Sequence, residues 1–401
     1  MKKIFKNSML FAAALTLSMS FASCSSNDGN GDGDGDGGSS VNLDLNGTDA
    51  MVSEACNNWK SARQDWEWSE AFLFGPATTF AIDPHTDTWP FDSKQFDSYM
   101  AKYNPATNKN DAALIKDAIA TGQNLTGFHA VEYLIFRNGE ARKIADMTAN
   151  EVFFAQSAAN DLYLSSLKLV SAWGGEVNAA EQALLTDADF NSPINYGEDF
   201  MNAGQAGSSY SSITLATEEI INGANEIIGE VRDSKIGAPA TGADVNYIES
   251  PHAYNSITDF YDNIMSCKHA LYGGWNIVDA PTATSLIGVC LKVNQLKSLA
   301  EDVQAKLNEA LNKINGMKRP FVLYYTDQSA KDAMTALDGL EESLDNLKAE
   351  INKYAGNATL EAEFKKVNEA FVKNTVIPTY RALVDDNLKL VNSLEKITWK
   401  K

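Results

Sequence analysis

Basic residues are in deficit. The 401-residue chain has 33 lysines and arginines against 53 aspartates and glutamates, a formal net charge of −20. Recognition of a phosphate backbone needs a clustered positive surface, so this balance excludes a nucleic-acid partner. An acidic surface instead favours solubility and concentrates cations nearby. Cysteine and histidine are scarce, with four of each. Cys24 ends an apolar N-terminal segment. The other three, Cys56, Cys267 and Cys290, are an odd and widely spaced set, which argues against a disulfide framework. They read as small buried apolar residues. No short repeat period and no alternating strand run of useful length are visible, and Phe321 to Tyr325 is the one serious strand candidate. With 44% apolar and 10% aromatic residues the chain can bury a substantial core, and its length predicts two or three domains.

The N-terminus reads as an export signal over residues 1–23. Lys2, Lys3 and Lys6 precede an apolar run from Met9 to Phe21, too short to span a membrane, and Ala22-Ser23-Cys24 follows. This ending resembles a bacterial lipoprotein signal, in which Cys24 becomes the lipidated first residue; the alternative is a plain secretory signal. Such an anchor predicts a protein tethered to the outer membrane of the envelope, with no spanning helix. Cleavage removes three lysines and no acid, so the mature formal charge falls from −20 to −23 and the membrane contact rests on the lipid. Residues 24–40 form the tether. Ser25 to Ser40 holds six glycines, four aspartates and no apolar side chain, so it cannot pack. Asp28-x-Asn30-x-Asp32-Gly33 imitates the first half of an EF-hand loop, but Ser39 stands where the bidentate Glu is required. Asp28, four residues after Cys24, resembles the acidic export signal of surface-displayed lipoproteins.

From about Thr48 the spacing is helical. Met334, Leu337, Leu340, Leu344, Leu347, Ile351 and Tyr354 recur at gaps of three and four, as do Leu296, Leu299, Val303, Leu307, Leu311 and Ile314. These stripes are bundle cores. Gly316 and Pro320 punctuate the gap between them. A further helix is expected from about Tyr210 to Ser234, ending at Gly237-Ala238-Pro239. The fold class is therefore all-α, two packed helical bundles of four-helix type. The Gly/Pro-rich stretch from Gly237 to Gly242 divides them into domains of residues 41–240 and 241–401.

One segment carries chemistry: Gly127-Phe128-His129-Ala130-Val131-Glu132-Tyr133-Leu134-Ile135-Phe136. His129 and Glu132 stand at i and i+3, so on a helix they share a face and can grip one ion or proton. The reversed spacing carries the Glu-x-x-His ligands of di-iron bundles. A polar pair among so many apolar neighbours must be partnered.

Gly127-x-His129-x2-Glu132 matches the GxHxxE hallmark of the imelysin family, which this chain resembles. Trp59-x3-Arg63-x2-Trp66-x3-Glu70-x-Phe72-x-Phe74-Gly75-Pro76, followed by Asp83 and Trp89-Pro90, is similar to the family's first helix and the loop beyond it. Glu249-Ser250, Ser256-x2-Asp259-Phe260-x2-Asn263-Ile264 and Tyr272-x-Gly274 resemble another block, within which His252 is a departure. The resemblance covers most of residues 50–400. It implies an all-α fold of two bundle-like domains, an exported protein, and either iron acquisition or, from the family's naming, peptidase activity.

A zinc peptidase needs three protein ligands and an open position for water. HExxH is absent, and Tyr133 occupies the last position of HxxEH. The surviving arrangement is His129 and Glu132 with His252 or His269 as third ligand. The reading preferred here is a binding protein for iron, another divalent metal or a small ligand, in which His129 and Glu132 supply one face of the site. Glu70, Glu249 and Asp259 are the acidic candidates for the other face, across the interface between the bundles. Gly127 permits close helix approach. Ser250 and Ser256 are expected to bond a ligand or cap helices. Arg63 is expected to bind an anionic ligand or to pair with Glu67 at i+4. Trp59, Trp66 and Trp89 are assigned to core packing. The remaining class is a structural lipoprotein with His129 and Glu132 as an internal clamp.

Overall fold

The chain realises the helical spacing of its sequence in α1 (Asp49–Glu67), α2 (Gly127–Ile135), α3 (Ala149–Ala172), α4 (Ile213–Glu230), α5 (Ser256–Tyr272), α6 (Asn294–Asn315), α7 (Gln328–Asn352), α8 (Ala358–Ala370) and α9 (Ile377–Glu395). The computed structural model describes residues 44–102, 111–277 and 279–399. The expected signal, Cys24 and the tether lie outside them. The fold is all-α. Short antiparallel pairs, Leu45–Asn46 with Thr398–Trp399 and Phe136–Arg137 with Glu140–Ala141, add little more than a staple and a hairpin.

The apolar stripes became cores as expected. On α7, Leu337, Leu340, Leu344, Leu347 and Ile351 are fully buried, and on α6 so are Leu296, Val303, Leu307 and Ile314. Each such side chain removed from water contributes ~1.5–3 kcal/mol. Helix starts are capped by side chains that satisfy the otherwise orphaned first-turn N–H groups. Thr148 and Glu151 form a reciprocal capping box on α3, and Ser212 accepts from Leu215 N at 3.2 Å on α4.

Two local expectations are corrected. The segment from Phe321 to Tyr325 is a helical turn, Phe321–Tyr324, with Phe321 edge-on to Phe260 of α5 at 5.2 Å. The helix begun at Ile213 does not stop near Ser234. It passes through a π-helical turn, Val231–Ile236, into Gly237–Thr241, and ends at Gly242 in the left-handed region. A wide turn shifts the phase of the hydrogen-bond ladder, so Pro239, which has no N–H to offer, follows it within the helix. The same device joins α8 to α9: the π turn Phe371–Val376 precedes Pro378.

The described residues form one compact unit. Within it α1, α2, α3 and α9 pack on one another, α4, α5, α6 and α7 form a second group, and α1 meets α5 between them. The first group thus draws its last helix from the far end of the chain, and a cut at residue 240 parts α9 from α1 and α3. The charged residues described next lie where α1 and α5 meet.

Candidate functional site

α1 brings an arginine to the centre. Arg63 is fully buried, and an isolated charge there is prohibitively costly, so its donors must all find acceptors. Its Nη1 donates to Asp87 Oδ1, and its Nη2 reaches Glu249 Oε1 at 2.8 Å and pairs with Glu67 one helical turn away. Nε stands 3.6 Å from Asp259 Oδ1 on α5. A second buried cation, Lys235 from the π turn after α4, lies 2.9 Å from Glu249 Oε1 and 3.6 Å from Glu67 Oε2. Its Nζ also sits 4.9 Å from the centre of the half-buried Trp89 ring.

The GxHxxE segment organises the carboxylates. Gly127 has φ +72°, and a Cβ there would fall 2.1 Å from the carbonyl oxygen of Thr86. Only glycine lets α2 begin against that backbone, which places Asp87 beside α2. His129 Nε2 stands 3.1 Å from Asp87 Oδ1, while Trp66 Nε1 donates to Asp87 Oδ2 at 2.8 Å. On its other side His129 Nδ1 faces Glu132 Oε2 at 3.3 Å. Glu132 Oε1 accepts two backbone N–H groups, from His252 at 2.7 Å and Ala253 at 2.8 Å. Both oxygens of Glu132 are therefore engaged. The carboxylate works as a clamp on the loop preceding α5.

That loop delivers Glu249. Ser256 Oγ donates back to the Glu249 carbonyl at 2.5 Å, closing the loop without bonding α5's own end. Ser250 takes a left-handed φ of 45°, and Asp259 accepts from Asn255 Nδ2 at 2.6 Å. Neither serine caps a helix through its side chain; the N-cap position of α5 is Asn255. Of the residues expected at the site, His129, Glu132, Glu249, Asp259, Arg63, Gly127, Ser250 and Ser256 converge here, and Glu70 lies at the margin with 8% of its surface exposed. His252 contributes its backbone N–H, while its ring packs edge-on to Tyr133 at 5.1 Å. His269 is buried against Trp68, with ring centres 4.8 Å apart. Among the described residues, no potential metal-ligand group includes either of these histidines.

Asp87, Lys235 and the contacts of Glu67 with Lys235 and Asn263 were missed by sequence reasoning. Asp87 was findable: it falls one helical turn after Asp83 and two residues before Trp89, inside a block already singled out. Nothing local marks Lys235, because a lysine in a helical stretch reads as surface. Of the three tryptophans assigned to the core, Trp59 fits, buried with Nε1 on the carbonyl of Phe128 at 3.0 Å. Trp66 and Trp89 in addition face the charged centre.

The electrostatics follow from burial and crowding. Burial disfavours a charged Asp87, but Arg63, His129 and Lys235 outweigh it and hold its carboxyl well below the usual range. Burial likewise works against a charged His129, yet Asp87 and Glu132 lift its pKa from 6.5 to about 9, so it is an imidazolium at neutral pH. Burial raises Glu67 and Glu70, and it pushes Asp259 and the half-buried Asp83 up to about 7. Glu67, Asp87, Glu132, Glu249 and Asp259 thus surround three cations, with Glu70 and Asp83 beyond them. This surplus of buried carboxylates draws in protons or another cation.

Among the described residues, three sets of side chains each bring ligand atoms within 4.8 Å of one another: Asp87, His129 and Glu249; Glu67, Glu70 and Asp87; and Glu67, Glu249 and Asp259. Carboxylate oxygens with at most one imidazole suit iron in either common oxidation state. Among the described residues, Glu249 Oε2 and Asp259 Oδ2 are buried without a hydrogen-bond partner, which the donor set of a cation site allows. The residues therefore fit iron.

Residues 42–371 match the family model Peptidase_M75, described as Imelysin. Iron-regulated protein A of Synechococcus elongatus is 27% identical over 230 residues, 57% of this chain and 53% of that protein. The match thus spans about half the length of that relative. The crystal structure of a protein described as an iron-regulated protein A precursor, from Parabacteroides distasonis, shares the fold. Its TM-score is 0.61 at 24% identity, covering 75% of this chain and 83% of the other. An imelysin peptidase from Bacteroides ovatus gives a TM-score of 0.47 at 25% identity, covering 59% and 67%.

Proposed function

This chain belongs to the imelysin family, and we propose that it is a lipid-anchored envelope protein of iron acquisition that binds a metal ion in the buried charged centre organised by His129 and Glu132. One observation carries the reading: buried carboxylates outnumber the resident cations Arg63, Lys235 and His129, and the GxHxxE segment holds them in that arrangement. The iron-regulated relative supports the choice of metal. The signal-like residues 1–23 and Cys24 support the anchor.

Bound iron would supply the positive charge that the surplus carboxylates lack. The chain's own groups do the rest. Arg63 and Lys235 keep the carboxylates together before loading, His129 orients Asp87, and Glu132 fixes the loop that carries Glu249. With both oxygens of Glu132 engaged, the HxxE pair has no free general base. That favours binding over peptide hydrolysis.

The test is metal titration of the purified protein by calorimetry and elemental analysis, with ferrous, ferric and zinc ions offered separately. Iron bound by the wild type and lost in His129→Ala and Glu132→Ala supports the reading. No metal bound by a folded wild type contradicts it.

A further inference from the structure

The three ligand sets are not equally available. In Asp87–His129–Glu249, the Arg63 guanidinium already links both carboxylates and His129 sits on the same Asp87 oxygen. In Glu67–Glu249–Asp259, Arg63 and Lys235 between them face all three acids. A metal ion in either place must evict a buried cation. In Glu67–Glu70–Asp87, Arg63 also bridges Glu67 and Asp87 and Asn263 Nδ2 donates to Glu67 Oε2, so an ion there shares these two acids with the resident donors, but it gains a third acid, Glu70, that neither buried cation pairs with. Glu70 is over nine-tenths buried, and among the described residues no hydrogen bond or ion pair reaches its carboxylate. Its ligand atom nevertheless lies within 4.8 Å of those of Glu67 and Asp87. Asp87 Oδ2 takes one hydrogen bond, from Trp66, and keeps a second lone pair. Asp83 and Glu230 act electrostatically on Glu70 and are only half-buried, and among the described residues neither makes a side-chain hydrogen bond or ion pair.

We propose that the ion is held by Glu67, Glu70 and Asp87, on the solvent side of the Arg63–Lys235 pair, and that it is a hard cation taken by carboxylate oxygens alone. Asp83 and Glu230 line its approach. His129 is then a positioning residue that acts through Asp87. The proposal rests on the reading that this centre binds metal, and it adds where and with which atoms. An unpaired, largely buried carboxylate is unfavourable for folding, and at Glu70 a bound cation offsets a cost that protonation otherwise relieves.

The experiment measures Mn²⁺ and ferric citrate binding to the purified full chain, with Zn²⁺ as the softer competitor. Pulsed electron spin resonance on bound Mn²⁺ reports any coordinated imidazole nitrogen. The expected results are at least tenfold weaker binding in Glu70→Gln, with thermal stability equal to or above wild type, and several-fold weaker binding in Asp83→Asn and Glu230→Gln. Bound Mn²⁺ is expected to show no imidazole coupling. Wild-type affinity in Glu70→Gln, or imidazole coupling that His129→Gln abolishes, overturns this assignment and leaves the metal-binding reading standing. No metal bound by wild type overturns both.

Discussion

His129 Nε2 lies 3.1 Å from Asp87 Oδ1, and this contact ties α2 to the loop in front of it. The imidazolium is favoured in the fold, its pKa raised from 6.5 to about 9. A raised basic pKa stabilises fully below the unfolded value and is lost as pH climbs through the folded one. Wild-type urea-unfolding free energy is expected to decline between pH 6.5 and 9 more steeply than that of His129→Gln. Parallel slopes for the two proteins contradict the pairing. Asp87, whose pKa is depressed, keeps its contribution above the ordinary carboxylate range and loses it only in acid.

Gly127→Ala places a methyl group 2.1 Å from the Thr86 carbonyl oxygen at a φ of +72°. Left-handed backbone alone costs ~1–2 kcal/mol for a non-glycine residue, and the clash adds to it. Chemical denaturation is expected to show a loss of at least ~2 kcal/mol. A midpoint equal to wild type means that the backbone approach is not what requires glycine there.

Arg63→Met leaves Asp87, Glu249 and Glu67 buried with too few partners. Removing one member of a buried ion cluster typically costs ~3–5 kcal/mol. Arg63→Lys is expected to recover only part of this, because one ammonium cannot serve three directions. Full recovery in the lysine variant indicates that charge alone, without the guanidinium fork, holds the centre.

Much of this architecture was legible beforehand. The stripes on α6 and α7 mark their cores because a surface helix shows its buried face as a three-and-four spacing. Gly127, His129 and Glu132 stood out because two polar groups sat among apolar neighbours. The role of Glu132 did not: its partners are backbone N–H groups of residues 252 and 253, and no side-chain pattern records them. Lys235 was invisible for a related reason. A π turn rotates it inward, and helical periodicity places it with the surface residues. The turn at Phe321–Tyr324 was misread because a short apolar run has no period long enough to separate strand from helix.

Lipidation at Cys24 predicts membrane partitioning that depends on one sulfur. Expressed with its own leader, the protein is expected in the detergent-soluble membrane fraction, and Cys24→Ser in the aqueous fraction. Membrane retention of the serine variant contradicts the anchor.

The central claim is tested most directly by the metal content of the protein after exposure to iron. The wild type, dialysed and analysed, is expected to retain iron in a fixed ratio to protein, while Glu132→Ala, folded by circular dichroism, retains little. Iron absent from the wild type, or equal in both proteins, contradicts the account.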